Sequence, residues 1–331
     1  MNFGVYLTGA FGQSQALYDA RNAAKRGRGF PEAVERQILE DTKTVIEKQK
    51  EAGLSFVIDS MLRMYHLLQP FSENVPGVKI GPQENWFNNN VFFWRPEISG
   101  KIDASATGFT VKYLHTDLLL QGGDATVVLP SPYTLIALST FKGVNGYEMH
   151  PAEQRSKIID IANLIKAEAQ NLVKKGFKRI QYDEPAIVNR QSLGSLTRTD
   201  ISLLASAMRQ CGRISGATTI LHTYFGDAGP IMEQLRDLET DGIGIDCTET
   251  RLDDVSKHKF TGKELVLGLV NARTTARENP ESLAKKVRMV AEATDPKALW
   301  LTPNTGTEYI GWAHGLEKLA VLKAAKEHFE K

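Results

Sequence analysis

Cysteine, long apolar runs and an excess of charge of one sign are all scarce in this chain of 331 residues. Its two cysteines, Cys211 and Cys247, are too few for a disulfide framework and do not form a Cys-x-x-Cys metal clip. No apolar run reaches the roughly 18 residues that a membrane-spanning helix needs. The N-terminal residues lack a basic segment before the first apolar ones, so we expect no signal peptide. These absences favour a cytoplasmic protein.

The charge is nearly balanced, with 40 Lys and Arg against 39 Asp and Glu and a formal net charge of +1. Such a balance offers no strongly basic surface that would attract nucleic acid or an anionic membrane. We therefore expect neither as a partner, and we expect a small-molecule substrate instead.

Short apolar, β-branched runs alternate with longer amphipathic segments along the sequence. Strands that alternate with helices predict a parallel sheet, and eight of them predict an α/β fold of the (β/α)8 TIM barrel type. An open doubly wound sheet is the alternative, but no glycine-rich phosphate fingerprint follows any run. The predicted strands are Phe3–Leu7, Ser55–Ile58, Thr126–Leu129, Arg179–Tyr182, Thr218–Leu221, Gly242–Ile245, Leu265–Leu269 and Ala298–Leu301. The predicted helices are Glu32–Ala52, Ala152–Lys175, Asp200–Cys211, Gly229–Leu238, Pro280–Ala293 and Ala313–His328.

The segment between Ser60 and Ala125 is longer than one crossover helix requires. Its aromatic residues and its run of three asparagines predict a hairpin, over residues 84–102, inserted between strands 2 and 3 at one barrel mouth. The hairpin is either a lid over the mouth or a decoration that only stabilises the barrel. The domain prediction is therefore a single barrel, residues 1–331, with this one insertion.

Polar or turn-forming residues follow nearly every predicted strand, and a parallel barrel brings such residues to one face. Asp183 and Glu184 end one strand, which Pro185 then breaks, and His222 ends the next. Carboxyl and imidazole groups suit acid–base work, so we predict Asp183, Glu184 and His222 as catalytic residues. His222 and Glu249 are the ligands if a metal binds. A surface turn and a structural histidine are the alternatives.

Further charged and amide side chains near the same face are candidates for contacting carboxylates or phosphates of a ligand. The predicted substrate-binding residues are Arg63, Arg95, Lys101, Glu249, Arg273 and Asn304. A basic run from Arg21 to Arg28 is either a solvated helix face or a contact near the mouth for an anionic tail.

These motifs together resemble the cobalamin-independent methionine synthase family. The segment Ile180-Gln-Tyr-Asp-Glu-Pro-Ala186 resembles the Gln-Ile-Asp-Glu-Pro-Ala motif of that family, and residues 222–227 are similar to the strand that carries His-x-Cys. Residues 267–273 and 301–306 match the last two strand ends. The resemblance covers nearly the whole chain, and it implies a methyltransferase of methionine biosynthesis.

The catalytic barrel of that family holds zinc with His, Cys, Glu and a second Cys. The resemblance places His222 and Glu249 at two of these positions, but it places Tyr224 at the first Cys and Thr305 at the second. Met61 stands where the family carries a glutamate that binds an amino group. These departures imply a barrel like the N-terminal, zinc-free half of two-barrel relatives, with no cofactor tightly bound in this chain.

The resemblance thus implies a component that assists methyl transfer from a methylated pterin or corrinoid to homocysteine. A separate zinc-bearing barrel would be its partner. One alternative is a stand-alone enzyme with a different small polar substrate, in which Asp183 or Glu184 works with His222. The other is a non-catalytic partner barrel that presents Trp86, Phe93 and neighbouring aromatic residues as a docking surface.

Overall fold

The inner layer of the fold is a sheet of parallel strands curled into a barrel, and helices pack around it. The computed structural model describes residues 2–87, 89, 91–121, 123–191 and 193–331. In this part of the chain the strands are β1 (Asn2–Val5), β2 (Val57–Ile58), β3 (Val78–Asn85), β4 (Phe92–Ile98), β5 (Ala125–Pro130), β6 (Thr140–Phe141), β7 (Val144–Asn145), β8 (Arg179–Asp183), β9 (Thr218–His222), β10 (Gly242–Asp246), β11 (Glu264–Val270) and β12 (Ala298–Pro303). The helices are α1 (Gln15–Lys25), α2 (Pro31–Glu51), α3 (Gln69–Asn74), α4 (Thr116–Gln121), α5 (Pro132–Ala137), α6 (Pro151–Lys174), α7 (Arg198–Cys211), α8 (Met232–Arg236), α9 (Leu252–Ser256), α10 (Pro280–Thr294) and α11 (Gly311–Glu330).

The barrel strands of this described region pair in the order β1, β12, β11, β10, β9, β8, β5 and β2. The two end strands meet where Ser55 N, just before β2, donates to Val5 O at 2.8 Å. Each strand falls on a run predicted from the sequence, so the (β/α)8 prediction is confirmed. Register places Pro130 beside Asp183, and Asp183 beside His222, which brings the C-terminal ends of β5, β8 and β9 together.

The longer helices begin and end close to their predicted bounds because their ends carry clear signals. Pro151 and Pro280 occupy the first turns of α6 and α10. Thr197 forms a reciprocal capping box with Asp200 at the start of α7. Among the described residues, no helix combines the length and the apolar character needed to cross a membrane.

The predicted insertion between the second and third barrel strands is an antiparallel hairpin of β3 and β4. Residues 84–102 cover β4 and the tip of the hairpin, but β3 begins earlier than predicted, at Val78. A register shift between Ile80 and Gln83 interrupts the alternation of β3 that would mark it as a strand. The strands β6 and β7 extend this hairpin to a second, four-stranded sheet, which the sequence did not predict. Asn88 and Asn90 of the predicted hairpin lie outside the described residues.

The aromatic residues of the hairpin mostly pack inward. Trp86 and Phe93 are buried with ring centroids 5.5 Å apart, whereas Phe92 is exposed. The hypothesis of a non-catalytic barrel expected these rings to form an exposed docking surface. For Trp86 and Phe93 that expectation is wrong, because the rings form the hairpin's own core.

A buried ion pair fills the N-terminal end of the barrel. Arg179 begins β8 and Glu264 begins β11, and Arg179 Nη1 lies 2.8 Å from Glu264 Oε2. Trp300 Nε1 donates to the same oxygen at 2.7 Å. The guanidinium carbon lies 4.5 Å from the ring centroid of Phe56 and 5.0 Å from those of Tyr6 and Trp300. The cation is thus held by one carboxylate and three ring faces.

We expect Arg179→Met to lower the free energy of unfolding by about 3 kcal/mol, because it leaves the Glu264 carboxylate buried without a cation. Urea denaturation followed by circular dichroism measures the change. The control is Lys178→Met, which alters an exposed neighbour and is expected to cost less than about 0.5 kcal/mol. Equal losses in the two variants would contradict a structural role for the pair.

Candidate active site

A cavity of about 210 Å³ opens at the C-terminal end of the barrel, and we call it the mouth cavity. Loops that follow β1, β2, β8, β9 and β12 line it, and Trp86 and Val91 at the hairpin tip line it as well. Its polar lining includes Gln13, Arg21, Tyr65, His66, Asp183, Tyr224, Thr305, Glu308 and Tyr309. The C-terminal face is where barrel enzymes place their active sites.

Asp183, the last residue of β8, is the predicted catalytic residue that the structure places in the mouth cavity. Its side chain is only 7% exposed. Gln181 Nε2 donates to Asp183 Oδ1 at 2.7 Å, and the Tyr224 hydroxyl also hydrogen-bonds to this carboxyl group. Burial raises the pKa of Asp183 well above its usual range, and the nearby Glu308 and Glu184 raise it further. Asp183 therefore favours its protonated form.

Glu308 is a second acid in the mouth cavity, and the sequence did not predict it. It lies in a 3₁₀ turn five residues after β12, and its carboxylate occupies the space beside Gly306 that any Cβ there would fill. Burial raises the pKa of Glu308 to about 7, although a hydrogen bond from Tyr309 opposes the shift. Its Oε2 atom is buried and has no hydrogen-bond partner among the described residues.

Glu184 adjoins Asp183 in sequence but lies apart from the residues that line the mouth cavity. Its carboxylate accepts hydrogen bonds from Thr134 N at 3.1 Å, Thr134 Oγ1 at 2.9 Å and Ile187 N at 3.0 Å. Burial raises the pKa of Glu184 to about 7, and these hydrogen bonds oppose the shift. The side chain ties the start of α5 to the loop after β8, which is a positioning role.

His222 and Asn304 contact each other inside the barrel and are not among the described residues that line the cavity. His222 Nε2 lies 2.9 Å from Asn304 O, and the His222 ring packs on Gly244, where a Cβ would collide with it. Burial lowers the pKa of His222, so the imidazole is neutral. The Asn304 amide donates to Asp246 Oδ2 at 3.1 Å and accepts from Ala272 N at 2.8 Å. Both residues therefore support the mouth from within the barrel.

Glu249 and Arg273 form a partly exposed ion pair, with Arg273 Nη1 3.0 Å from Glu249 Oε1. The guanidinium carbon of Arg273 lies 5.1 Å from the ring centroid of Phe225. Phe225 in turn makes an edge contact with Tyr309, which lines the cavity. Phe225 therefore lies between this ion pair and Tyr309 of the mouth cavity. The two charges of the pair neutralise each other.

The structure does not bring the other predicted binding residues into the cavity. Arg63 Nε lies 3.2 Å from Glu35 Oε2, and Arg95 Nε donates to Glu84 within the hairpin at 2.6 Å. Lys101 lines a separate surface depression near Asp160. A substrate contact by Arg63, Arg95 or Lys101 remains a prediction.

Arg21 of α1 and His66, which follows β2, also line the cavity. Arg21 Nη1 donates to Gln13 Oε1 at 2.8 Å, and its guanidinium carbon lies 5.3 Å from the ring centroid of Tyr65. His66 is 8% exposed, and its Nε2 accepts a hydrogen bond from Trp94 N at 3.3 Å. The alternative that placed the basic run near the mouth thus holds for Arg21. No pattern in the sequence indicates His66, because its hydrogen bond from Trp94 depends on how the hairpin folds.

Met61, which lines the cavity, and Phe225, which follows the lining residue Tyr224, adopt left-handed backbone conformations. Such conformations are unusual for residues other than glycine. Met61 has φ of 56° and Phe225 has φ of 67°. Asp59 Oδ1 accepts from Met61 N at 2.7 Å, and Asp246 Oδ2 accepts from Phe225 N at 3.0 Å. Strained residues of this kind cluster at functional sites, where surrounding contacts hold them in place.

The family's zinc does not fit the side chains at the corresponding positions. Tyr224 and Thr305 line the mouth cavity and stand where the resemblance places the two thiolates, and burial raises the pKa of Tyr224 well above its usual range. His222 is hydrogen-bonded to Asn304, and Glu249 is paired with Arg273. Zinc sites require three or four nitrogen, sulfur or carboxylate ligands. Within the described ranges, no group of three or more His, Cys, Asp or Glu side chains is arranged to hold a metal ion.

The raised pKa of Glu308 predicts a pH-dependent stability difference between the wild type and Glu308→Gln. The folded state keeps a proton up to about pH 7 that the unfolded chain loses near 4.5. The contribution of Glu308 to stability therefore falls as pH rises through that window, and the neutral glutamine avoids the loss. From about pH 5 to pH 8 the variant should gain about 1–3 kcal/mol relative to the wild type.

Urea denaturation at several pH values tests this expectation, with Glu330→Gln, an exposed glutamate of α11, as the control. If the free energy of unfolding changed with pH in the same way for Glu308→Gln and the wild type, Glu308 would have an ordinary pKa and the prediction would be wrong.

Residues 5–327 match the family described as "Cobalamin-independent synthase, Catalytic domain". The chain is 23% identical to the methionine synthase of Sulfolobus acidocaldarius over 314 residues, which are 95% of this chain and 88% of the relative. It is 22% identical over 320 residues to the methionine synthase of Saccharolobus solfataricus, covering 96% of this chain and 91% of the relative.

Two solved structures share the fold. A B12-independent methionine synthase from Shewanella sp. W3-18-1, in complex with selenomethionine, aligns with a TM-score of 0.76 and 17% identity over 99% of this chain and 97% of that chain. A putative vitamin-B12 independent methionine synthase from Listeria monocytogenes aligns with a TM-score of 0.74 and 21% identity over 98% of each chain. The family match spans nearly the whole barrel, and the family prediction is confirmed: the chain belongs to the cobalamin-independent methionine synthase family, which is a family of methyltransferases.

Proposed function

We propose that this protein is a methyl-transferring component that binds a small substrate in its mouth cavity, while a separate zinc-bearing barrel activates homocysteine. The methyl donor is a methylated pterin or corrinoid. One observation carries the proposal: Tyr224 and Thr305, which the resemblance places at the positions of the family's two zinc-binding thiolates, both line the mouth cavity.

A thiol needs help to become a nucleophile at neutral pH, because its ordinary pKa is about 8.5. A metal ion or a nearby cation supplies that help. Burial, Asp183 and Glu308 all raise the pKa of the Tyr224 hydroxyl, so this part of the mouth cavity disfavours an added negative charge. The thiolate is therefore expected to form on the partner barrel.

The side chains of this chain have a different chemical capacity, which is to hold and release protons. Burial raises the pKa of Asp183, which favours its protonated form, and it raises the pKa of Glu308 to about 7. A group with a pKa near the working pH is an efficient general acid. These acids are suited to protonating the nitrogen of a pterin leaving group as its methyl group departs. Gln181 and Tyr224 orient the Asp183 carboxyl group for that transfer.

We expect methionine formation to rise at least about tenfold when this chain is added to a zinc-bearing family member from the same genome. Each protein is first assayed alone, with homocysteine and either a methylated pterin or methylcobalamin. Asp183→Asn should lower the rate of the pair about 100-fold, because it removes a positioned proton donor. Asp253→Asn is the matched control, since Asp253 is exposed and forms an ion pair with Arg251.

Elemental analysis of the purified chain accompanies the assay. A chain that carries stoichiometric zinc and makes methionine unaided would defeat the proposal. So would a mixture that is no faster than the zinc-bearing barrel by itself.

A second candidate is a stand-alone methyltransferase with a different small polar acceptor. Two observations favour it: the acids and tyrosines line one cavity, and the methionine synthases of Sulfolobus acidocaldarius and Saccharolobus solfataricus match over about nine-tenths of their own length. For this candidate, the chain alone would methylate a non-thiol acceptor. Asp183→Asn would abolish that activity, and added zinc-bearing barrel would leave it unchanged.

A further inference from the structure

A surface depression at the end of the barrel opposite the mouth carries an excess of positive charge, and we call it the basic depression. Its volume is about 470 Å³. The segments that lead into β9, β10 and β11 line it, so it lies at the N-terminal ends of these strands. Its charged lining consists of Arg213, Arg236, Asp237, Glu239, Lys259 and Lys263. Four basic side chains are thus accompanied by two acidic ones.

One of the two acids is already neutralised by a neighbouring arginine. Arg236 Nε lies 2.7 Å from Asp237 Oδ1, and Arg236 Nη2 lies 3.0 Å from Asp237 Oδ2. Arg213 and Lys259 are exposed, and within the described ranges neither makes an ion pair or a hydrogen bond through its side chain. Glu239 is therefore the one acid of this lining left to balance three basic side chains.

Lys263 is the basic residue of the depression that is fixed in place by the backbone. It is half-buried, and its Nζ donates to Leu238 O at 2.5 Å and to Thr240 O at 2.7 Å. An ammonium group has three N–H donors, so one of them is left for a ligand. The backbone before β10 thus holds the position of one cation of the depression.

The charge on Lys263 is incompletely compensated by its surroundings. Its pKa is lowered to about 8, chiefly by burial and then by the positive charge of Arg213. The acids whose charges oppose this shift are Asp241, Asp237 and Glu239. Because these three acids do not outweigh burial and repulsion, an anion placed beside Lys263 and Arg213 would stabilise both cations.

We infer that the basic depression is a binding site for a phosphate-type oxyanion that carries two or more negative charges. Arg213 supplies a planar fork of N–H donors that matches two phosphate oxygens, and Lys259 and Lys263 supply compact positive charges. A single carboxylate would leave most of this charge unbalanced, whereas a phosphate or diphosphate group matches it. The inference goes beyond the proposed function and does not depend on it, because the depression and the mouth cavity lie at opposite ends of the barrel.

Isothermal titration calorimetry with inorganic pyrophosphate tests the site, at constant ionic strength, without divalent cations and at about pH 8, the pKa of Lys263. The wild type should bind one pyrophosphate with a Kd of about 1 mM or tighter. Arg213→Gln should weaken binding at least about tenfold, because it removes charge-assisted hydrogen bonds, and Lys259→Gln should weaken it about 3–10-fold.

Lys178→Gln is the matched control, because it removes one exposed positive charge just before β8, at the same end of the barrel. A charge outside the site is screened by salt, so this variant should change the affinity less than about twofold. Thermal unfolding of each variant checks that the fold is retained. Arg213 and Lys259 are exposed, so their variants are expected to fold.

Proton uptake on binding gives a readout that a general attraction between charges would not move. Near pH 8 about half of the Lys263 side chains are neutral, and a bound anion should restore their protons. Titrations in buffers with different ionisation enthalpies measure the number of protons exchanged. Pyrophosphate exchanges protons of its own, which Lys263→Met reports. The wild type should therefore take up as much as about half a proton more per pyrophosphate than this variant.

A titration with ADP identifies the source of the oxyanion. Tighter binding of ADP than of pyrophosphate would assign the site to the phosphate groups of a larger organic molecule, and tighter binding of pyrophosphate would assign it to a free oxyanion. Both results support the site. No saturable binding of pyrophosphate to the folded wild type would overturn the inference. So would Lys178→Gln weakening binding as much as Arg213→Gln does.

Discussion

The shared direction of the eight barrel strands in the described region is the constraint on which the rest of the structure depends. Neighbouring barrel strands such as β8 and β9 pair in parallel. The C-terminal ends of the strands therefore lie at the same end of the barrel, and so do the loops that follow them. Asp183 at the end of β8, Tyr224 after β9 and Glu308 after β12 all line the cavity there. The opposite end is filled by Arg179 and Glu264, which leaves one end of the barrel open for chemistry.

The mouth differs from that opposite end in how it accommodates buried charge. Arg179 and Glu264 neutralise each other, and aromatic rings surround the cation. At the mouth, burial favours the protonated forms of Asp183 and Glu308, and the hydrogen-bond donors to Asp183 are the neutral groups of Gln181 and Tyr224. One end of the barrel thus holds a paired cation and anion, and the other holds two acids whose pKa values are raised. That contrast is the physical basis for locating function at the mouth.

The sequence was sufficient for the barrel because each strand is an apolar run that turn residues bound on both sides. It also put Asp183 at the end of a strand, where the structure has it lining the mouth cavity, and a catalytic role for Asp183 stays a prediction. It failed to separate Asp183 from Glu184, although consecutive residues of an extended segment point in opposite directions. Glu308 could not be found, since its position depends on a turn after Gly306. His66 could not be found either, since its hydrogen bond comes from Trp94 across the hairpin.

The outer strand of the hairpin also bears on how this protein can meet another. β3 lies at the edge of its sheet, where open backbone groups invite strand addition. Pro82 removes one of the donors in that strand, and the register shift between Ile80 and Gln83 bends it. Such an edge resists templated pairing, which protects the chain from sheet-mediated aggregation. Any protein that docks on this flank must therefore recognise side chains rather than extend the sheet.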